Sequence, residues 1–172
     1  MQPASDDPAT VAAMAAYRGG AVRWIGGGLV AAVLAVLAGV AVSSVVDGTG
    51  RRLPVVGLAV VTLLLVAPAA VAVGTGSLLR ARRWAAALAR TPWRPGVLRA
   101  GGPAVLSFEP YGGDRDDAVR WLLLSTTLWR ARAVQRLDGG EVRAVPVGGG
   151  EWVFTADGLG TLYGAQEPRP RR

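Results

Sequence analysis

Two uninterrupted apolar blocks constrain this chain more than any other feature. Trp24–Val46 runs 23 residues without a charge, and Val55–Leu79 runs 25 more. A bilayer core about 30 Å thick needs roughly 20 apolar residues in a helix, so each block is long enough to cross it. The link Asp47–Pro54 is short and polar, and Pro54 suits the first turn of a second helix. The expected unit is a transmembrane helical hairpin over residues 24–79. The first block is too long for a signal-peptide core, although Ala41-Val42-Ser43 resembles a cleavage site.

Arginine counting orients the hairpin. Arg18 and Arg23 precede the first block, and Arg80, Arg82, Arg83, Arg90, Arg94 and Arg99 follow the second; the link holds only Arg51 and Arg52. The positive-inside rule then expects both termini in the cytoplasm of a two-pass protein of the cell membrane. Trp24 and Trp84 fall at the same expected interface. No ionisable residue lies within either block, so nothing marks an ion path. Pro68 is expected to kink the second helix.

Two further features of the hairpin invite a role. Ala31, Ala35, Gly39 and Ser43 form a stripe of small residues, fit either for an intermolecular seam or for the hairpin's own packing, the second being the commoner use. Beyond the second block, Leu78–Arg90 continues a helical pattern. Ala81, Trp84, Ala85 and Leu88 share one face, with Arg80, Arg83 and Arg90 opposite and Arg82 nearby. Such a basic amphipathic helix is expected either to rest on anionic lipid headgroups or to serve only as a topology signal.

The ends and joints are read from turn chemistry. Asp7-Pro8 is a cap followed by a proline, so a short helix over Ala9–Tyr17 is expected, broken by Gly19-Gly20 within a cytoplasmic tail 1–23. Residues 80–94 form the basic helix and a linker, Pro92-Trp93-Arg94-Pro95. A compact domain occupies 95–165, and a disordered basic tail follows at 166–172.

Within the domain, glycine turns at Gly112-Gly113, Asp138-Gly139-Gly140, Gly148–Gly150 and Asp157-Gly158 separate alternating segments. Ala104–Phe108 and Trp121–Ser125 read as strands, and Trp152, Phe154 and Ala156 alternate in another. Pro146 within Glu141–Val147 marks an edge or a bulge. Leu128–Leu137 fits a strand or a short helix; a cap at Thr126 or Thr127 and a stop at Gly139 favour the helix. The expected domain is a small, mainly β (α+β) barrel or rolled sheet with Phe108, Trp121, Trp129, Trp152, Phe154 and Tyr163 in its core. About 70 residues bury a marginal core, so packing on a partner would help.

Chemistry is narrowed by what the chain omits. It has no Cys and no His, and all 19 basic residues are Arg. Thiol and imidazole catalysis and the common zinc and haem ligand sets are excluded. The basic charge flanks the apolar blocks, while residues 100–167 hold 6 Arg against 9 acids, so nucleic acid is not expected as a partner. Asp114, Asp116 and Asp117 are the one concentrated carboxylate group, without the remaining ligands of a calcium loop. Gly148–Gly150 lacks the Lys-Ser/Thr of a phosphate loop, and Ser125, Thr126 and Thr127 have no His, Lys or Cys to activate them.

The ending Trp152–Ala165, after Leu137-Asp138-Gly139-Gly140, resembles small integral membrane proteins of high-GC actinobacteria. That resemblance implies two spans followed by a cytoplasmic domain and brings no functional residues with it. The expected function is a non-enzymatic, membrane-anchored interaction module without cofactor, in contact with lipid and with a protein partner or another copy of itself. An accessory subunit of a transport or secretion complex is the alternative. A metal-dependent enzyme on lipid-linked substrates, with the Asp114 cluster as its ligands, ranks third.

Overall fold

The computed structural model describes residues 2–49, 54–102, 104–112, 118–124, 128–157 and 160–168. Two long helices, α1 (Pro8–Thr49) and α2 (Pro54–Leu88), precede a closed antiparallel barrel of six strands. The chain divides into two compact units, residues 18–80 and residues 1–17 with 81–172.

In the first unit α1 and α2 lie antiparallel, at a spacing set by glycine. A Cβ on Gly74 would sit 2.8 Å from the Ala21 carbonyl oxygen, and one on Gly28 would sit 2.8 Å from that of Ala67. Further along, Gly39 faces Val60. Ala21, Gly28 and Ala35 recur every seven residues and are buried, as are Ala67 and Gly74 opposite them. A seven-residue step keeps one seam facing its partner when helices coil with a left-handed sense.

The expected break at Gly19-Gly20 is not there; both glycines lie inside α1. Each costs roughly 1 kcal/mol against alanine in a helix, whereas a break would create two new termini with their orphaned N–H and C=O groups. The cap expected at Asp7 does form. Its Oδ1 accepts the Ala9 N–H at 3.1 Å and its Oδ2 the Thr10 hydroxyl at 2.9 Å.

The barrel consists of β1 (Arg94–Ala100), β2 (Val105–Pro110), β3 (Val119–Leu123), β4 (Glu141–Gly148), β5 (Glu151–Thr155) and β6 (Tyr163–Gln166), closed in the order β1-β2-β3-β6-β5-β4. Between β3 and β4 comes the short helix α3 (Leu128–Gln135), whose Val134 is fully buried in the barrel core. Inside, Phe108 stacks on Trp121 at 4.8 Å, Trp121 on Phe154 at 5.6 Å and Phe154 on Tyr163 at 5.6 Å. Offset aromatic stacks of this kind add to the area they bury. The expected core residue Trp129 belongs to α3, and its side chain lies outside the described residues.

Several boundaries differ from expectation, each for a local reason. Arg94-Pro95, read as linker, opens β1. Pro95 has no N–H for the sheet, but its carbonyl accepts the Tyr111 N–H at 3.0 Å. Gly96 is an inward position without a side chain because the Phe108 ring fills that space. Ala104 is exposed and precedes β2, so only Leu106 and Phe108 of its expected face reach the core. Pro146 lies at a register shift in β4, a bulge inside a closed ring with no edge. Glu167, read as disordered tail, is tied down: its carboxylate accepts the Trp152 indole N–H at 2.6 Å, and its N–H meets the Gly150 carbonyl. Residues 169–172 lie outside the described residues.

Glycine positions supply a paired test. Gly74→Val is expected to destabilise the hairpin by about 1–3 kcal/mol through overpacking against backbone. Gly76→Val, where a Cβ meets nothing within 4 Å, leaves it unchanged. Thermal unfolding of the two variants in detergent, followed by helical circular dichroism, checks the difference.

Candidate functional site

The two outer faces of the barrel differ sharply, and the candidate sites follow from that difference. Exchanging β1-β2-β3 with β4-β5-β6 leaves the ring order unchanged, so each three-stranded half has a topological equivalent. The outer face of the second half is clad by the chain's own helical ends. Val145, Val153 and Leu162 pack with Ala81, Trp84 and Leu88 of α2 and with Ala13, Met14 and Tyr17 of α1 in a second buried cluster. β5 is therefore buried on both faces, from Trp152 to Thr155.

Trp84 is the centre of this cladding. It is 2% exposed, packs at a tilt against Tyr17 with ring centroids 4.9 Å apart, and donates its indole N–H to the Glu151 carboxylate at 3.0 Å. Gly164 makes room for it: a Cβ there would fall 2.7 Å from the Trp84 ring. The apolar face expected to rest on lipid is therefore used within the protein. An indole buried this far is not an interfacial anchor, which corrects that reading of Trp84. Its burial against the barrel removes more apolar surface from water than a half-immersed position would.

A polar lock closes over the start of α1. Asp7 and Thr10 cap the helix, and the Trp93 indole donates to the Thr10 hydroxyl at 3.1 Å. Arg143 of β4 reaches Asp7 at 3.3 Å through one nitrogen and Asp157 at 2.7 Å through the other. Burial alone raises the Asp7 pKa. The Thr10 hydroxyl, the Ala9 N–H, the Arg143 charge and the Thr10 N–H outweigh it and hold the carboxyl below its ordinary value.

Of the arginines singled out as lipid contacts, Arg83 and Arg90 come together along one groove. It holds about 390 Å3 between the end of α2 (Ala86, Ala87), Thr91 just beyond it, and the bulged β4–β5 hairpin (Pro146, Val147, Gly148, Glu151). Arg82 is exposed and Arg80 half-buried, and neither lines it. Two guanidiniums two helical turns apart favour an anionic group, and the Glu151 carboxylate on the same wall tempers that field. The hairpin turn Gly148–Gly150 has three consecutive left-handed glycines and leads into a strand, unlike a phosphate loop.

The small-residue stripe divides. Ala35 is buried and Gly39 faces Val60 within the hairpin, Ala31 is half-buried, and Ser43 is exposed with its hydroxyl on the Gly39 carbonyl. The tight contacts at Gly28 and Gly74 were missed. The seven-residue recurrence of small residues would have found them; the four-residue spacing does not. Asp114, Asp116, Asp117, Ser125, Thr126 and Thr127 lie outside the described residues. Among the described residues no cluster of acidic side chains suits a metal ion.

On the first half no described residue clads the equivalent outer face. Val105 and Leu122 sit directly opposite one another in the β2–β3 register, 43% and 42% exposed. Arg99, Glu109 and Arg120 surround them, with an ion pair of 3.9 Å between Arg99 and Glu109. Tyr111, at the end of β2, is also exposed.

No family model, no curated protein and no solved structure matches the chain.

Two measurements probe the cladding. Gly164→Val is expected to displace Trp84, red-shifting its emission and costing about 1–3 kcal/mol, as overpacking typically does. The Asp7 contribution is pH-dependent: a lowered pKa stabilises above the unfolded value of about 3.9 and is lost as pH falls through the folded value. The gap in melting temperature between wild type and Asp7→Asn is therefore expected at neutral pH and to close below about pH 4.

Proposed function

We propose that this chain is a two-pass integral membrane protein that holds a non-enzymatic interaction module, the barrel, at the cytoplasmic surface. α1 and α2 are long and apolar enough to cross a membrane. Their outward side chains are large and apolar, with Leu37 60% and Leu65 70% exposed, a surface that water does not tolerate over such an area. The arginine imbalance sets the orientation, with both termini inside. Arg80, Arg82, Arg83 and Arg90 then face the anionic inner leaflet, each contributing about 1 kcal/mol near the surface. This layout also fits the resemblance to two-span actinobacterial membrane proteins.

The observation that carries the interaction reading is the unequal cladding of two topologically equivalent faces. One half of the barrel is completed by helices of the same chain, whereas the other presents Val105 and Leu122 to solvent. A helix from a partner, or from a second copy, suits the bare face as α1 and α2 suit the covered one.

Orientation is tested with single cysteines, since the native chain has none. Thr49→Cys is expected to react with a membrane-impermeant thiol reagent in intact cells. Gly102→Cys, at a half-buried position where a Cβ meets nothing within 4 Å, is expected to react only after lysis. The reverse pattern overturns the cytoplasmic placement.

The interaction face is tested by a photoreactive residue at Ser107, which points outward beside Leu122. It is expected to give one adduct of discrete mass in cells, and Leu122→Arg to abolish that adduct without lowering the melting temperature. An adduct indifferent to Leu122→Arg, or none at all, overturns this face as the docking surface.

A further inference from the structure

A groove of about 480 Å3 runs along the hairpin, lined by Gly20, Arg23, Trp24, Gly27, Gly28 and Ala31 of α1 and by Val66 and Ala70 of α2. Gly28 is explained by its contact with α2, but Gly20 and Gly27 are not, because a Cβ on either meets nothing within 4 Å. These two glycines cost helix stability and return no packing inside the hairpin; what their bare backbone leaves is the groove.

The charge sits at one end and the apolar wall extends from it. Arg23 and the 57%-exposed Trp24 stand where the charge-free block begins. From Arg23 to Ala31 the lining covers about 12 Å of helix at 1.5 Å per residue, most of one half of a hydrocarbon core of about 30 Å. The groove thus has most of the depth of one leaflet, with a guanidinium at headgroup level.

We propose that this groove binds one anionic glycerophospholipid, an acyl chain lying against Gly27 and Ala31 and the phosphate meeting Arg23 at the Gly20 end. The inference rests on the membrane-spanning reading given above. Arginine at the mouth selects an anionic headgroup, and the small residues admit a chain where a larger side chain would exclude it. Trp24 borders the bound chain and reports on it.

The full-length protein is reconstituted into vesicles in which either phosphatidylglycerol or phosphatidylcholine carries brominated acyl chains, and tryptophan quenching is followed against mole fraction. Trp24→Phe identifies the Trp24 component. Quenching of that component by brominated phosphatidylglycerol is expected to saturate at a several-fold lower mole fraction than by phosphatidylcholine. Arg23→Gln removes the preference, and Gly27→Leu, whose Cβ meets nothing within 4 Å and whose side chain fills the groove, removes the saturable phase. Equal, unsaturated quenching by both lipids means ordinary boundary lipid and overturns the proposal. Loss of quenching in vesicles that still carry the protein, with copies cross-linked through Gly27→Cys, means a second copy fills the groove and overturns it too. Protein that does not float with the vesicles overturns the membrane reading itself, and the lipid site with it.

Discussion

The packing of Trp84 onto the outside of β5 is the contact on which the architecture of the barrel unit depends. A closed barrel of six short strands has one small interior, filled here by an aromatic stack with Phe108, Trp121 and Phe154 at its centre. The ends of α1 and α2 supply a second core on the outer side of β4, β5 and β6. Fully burying each large apolar side chain there contributes about 1.5–3 kcal/mol. For a domain whose interior is marginal by size, that second layer is a major part of its stability.

Polar detail fits the same purpose. Three indole N–H groups find partners that join distant segments: Trp84 with Glu151, Trp93 with Thr10, and Trp152 with Glu167. Thr10 is 3% exposed, and its hydroxyl both donates to Asp7 and accepts from Trp93, so its burial leaves no unmet bond. The Trp121 indole nitrogen is the exception among the described residues: it is buried in the aromatic stack without a hydrogen-bond partner. An unmet buried donor costs about 1–3 kcal/mol, and the surrounding rings offset it by the area they bury.

The two apolar helices and the β character of the domain were legible in the sequence because each rests on a strong local signal: charge-free length in one case, alternation between glycine turns in the other. Leu106, Phe108, Trp121 and Phe154 follow that alternation into the core. β1 was not legible, because Pro95 and Gly96 look like linker. What makes them a strand is the Phe108 ring from β2 filling the space at Gly96, a contact with no local trace. The burial of Val153 and of Trp84 was not legible for a related reason. Alternation assigns Val153 to the solvent face and amphipathicity assigns Trp84 to a lipid surface, yet each is covered by the other's element. Periodicity tells which side of an element is apolar, never what will cover it.

Glycine separates the candidate sites from the scaffold. Gly28, Gly74, Gly96 and Gly164 are each filled from outside by a neighbouring atom, so each is a requirement of packing. Gly20 and Gly27 are open. In a chain this rich in glycine, composition carries no such distinction, and neither does the four-residue spacing of small residues along α1. The atom that a Cβ would meet does. Where it meets backbone or a ring, the glycine belongs to the fold; where it meets nothing, as at Gly20 and Gly27 beside Arg23 and Trp24, the helix surface is open. The same criterion treats the two barrel faces alike. Gly164 is occupied by Trp84 on the clad side, while Val105 and Leu122 on the bare side remain without a cover among the described residues. Among the described residues, the outer surface of β1, β2 and β3 is the one that the chain's own helices do not complete.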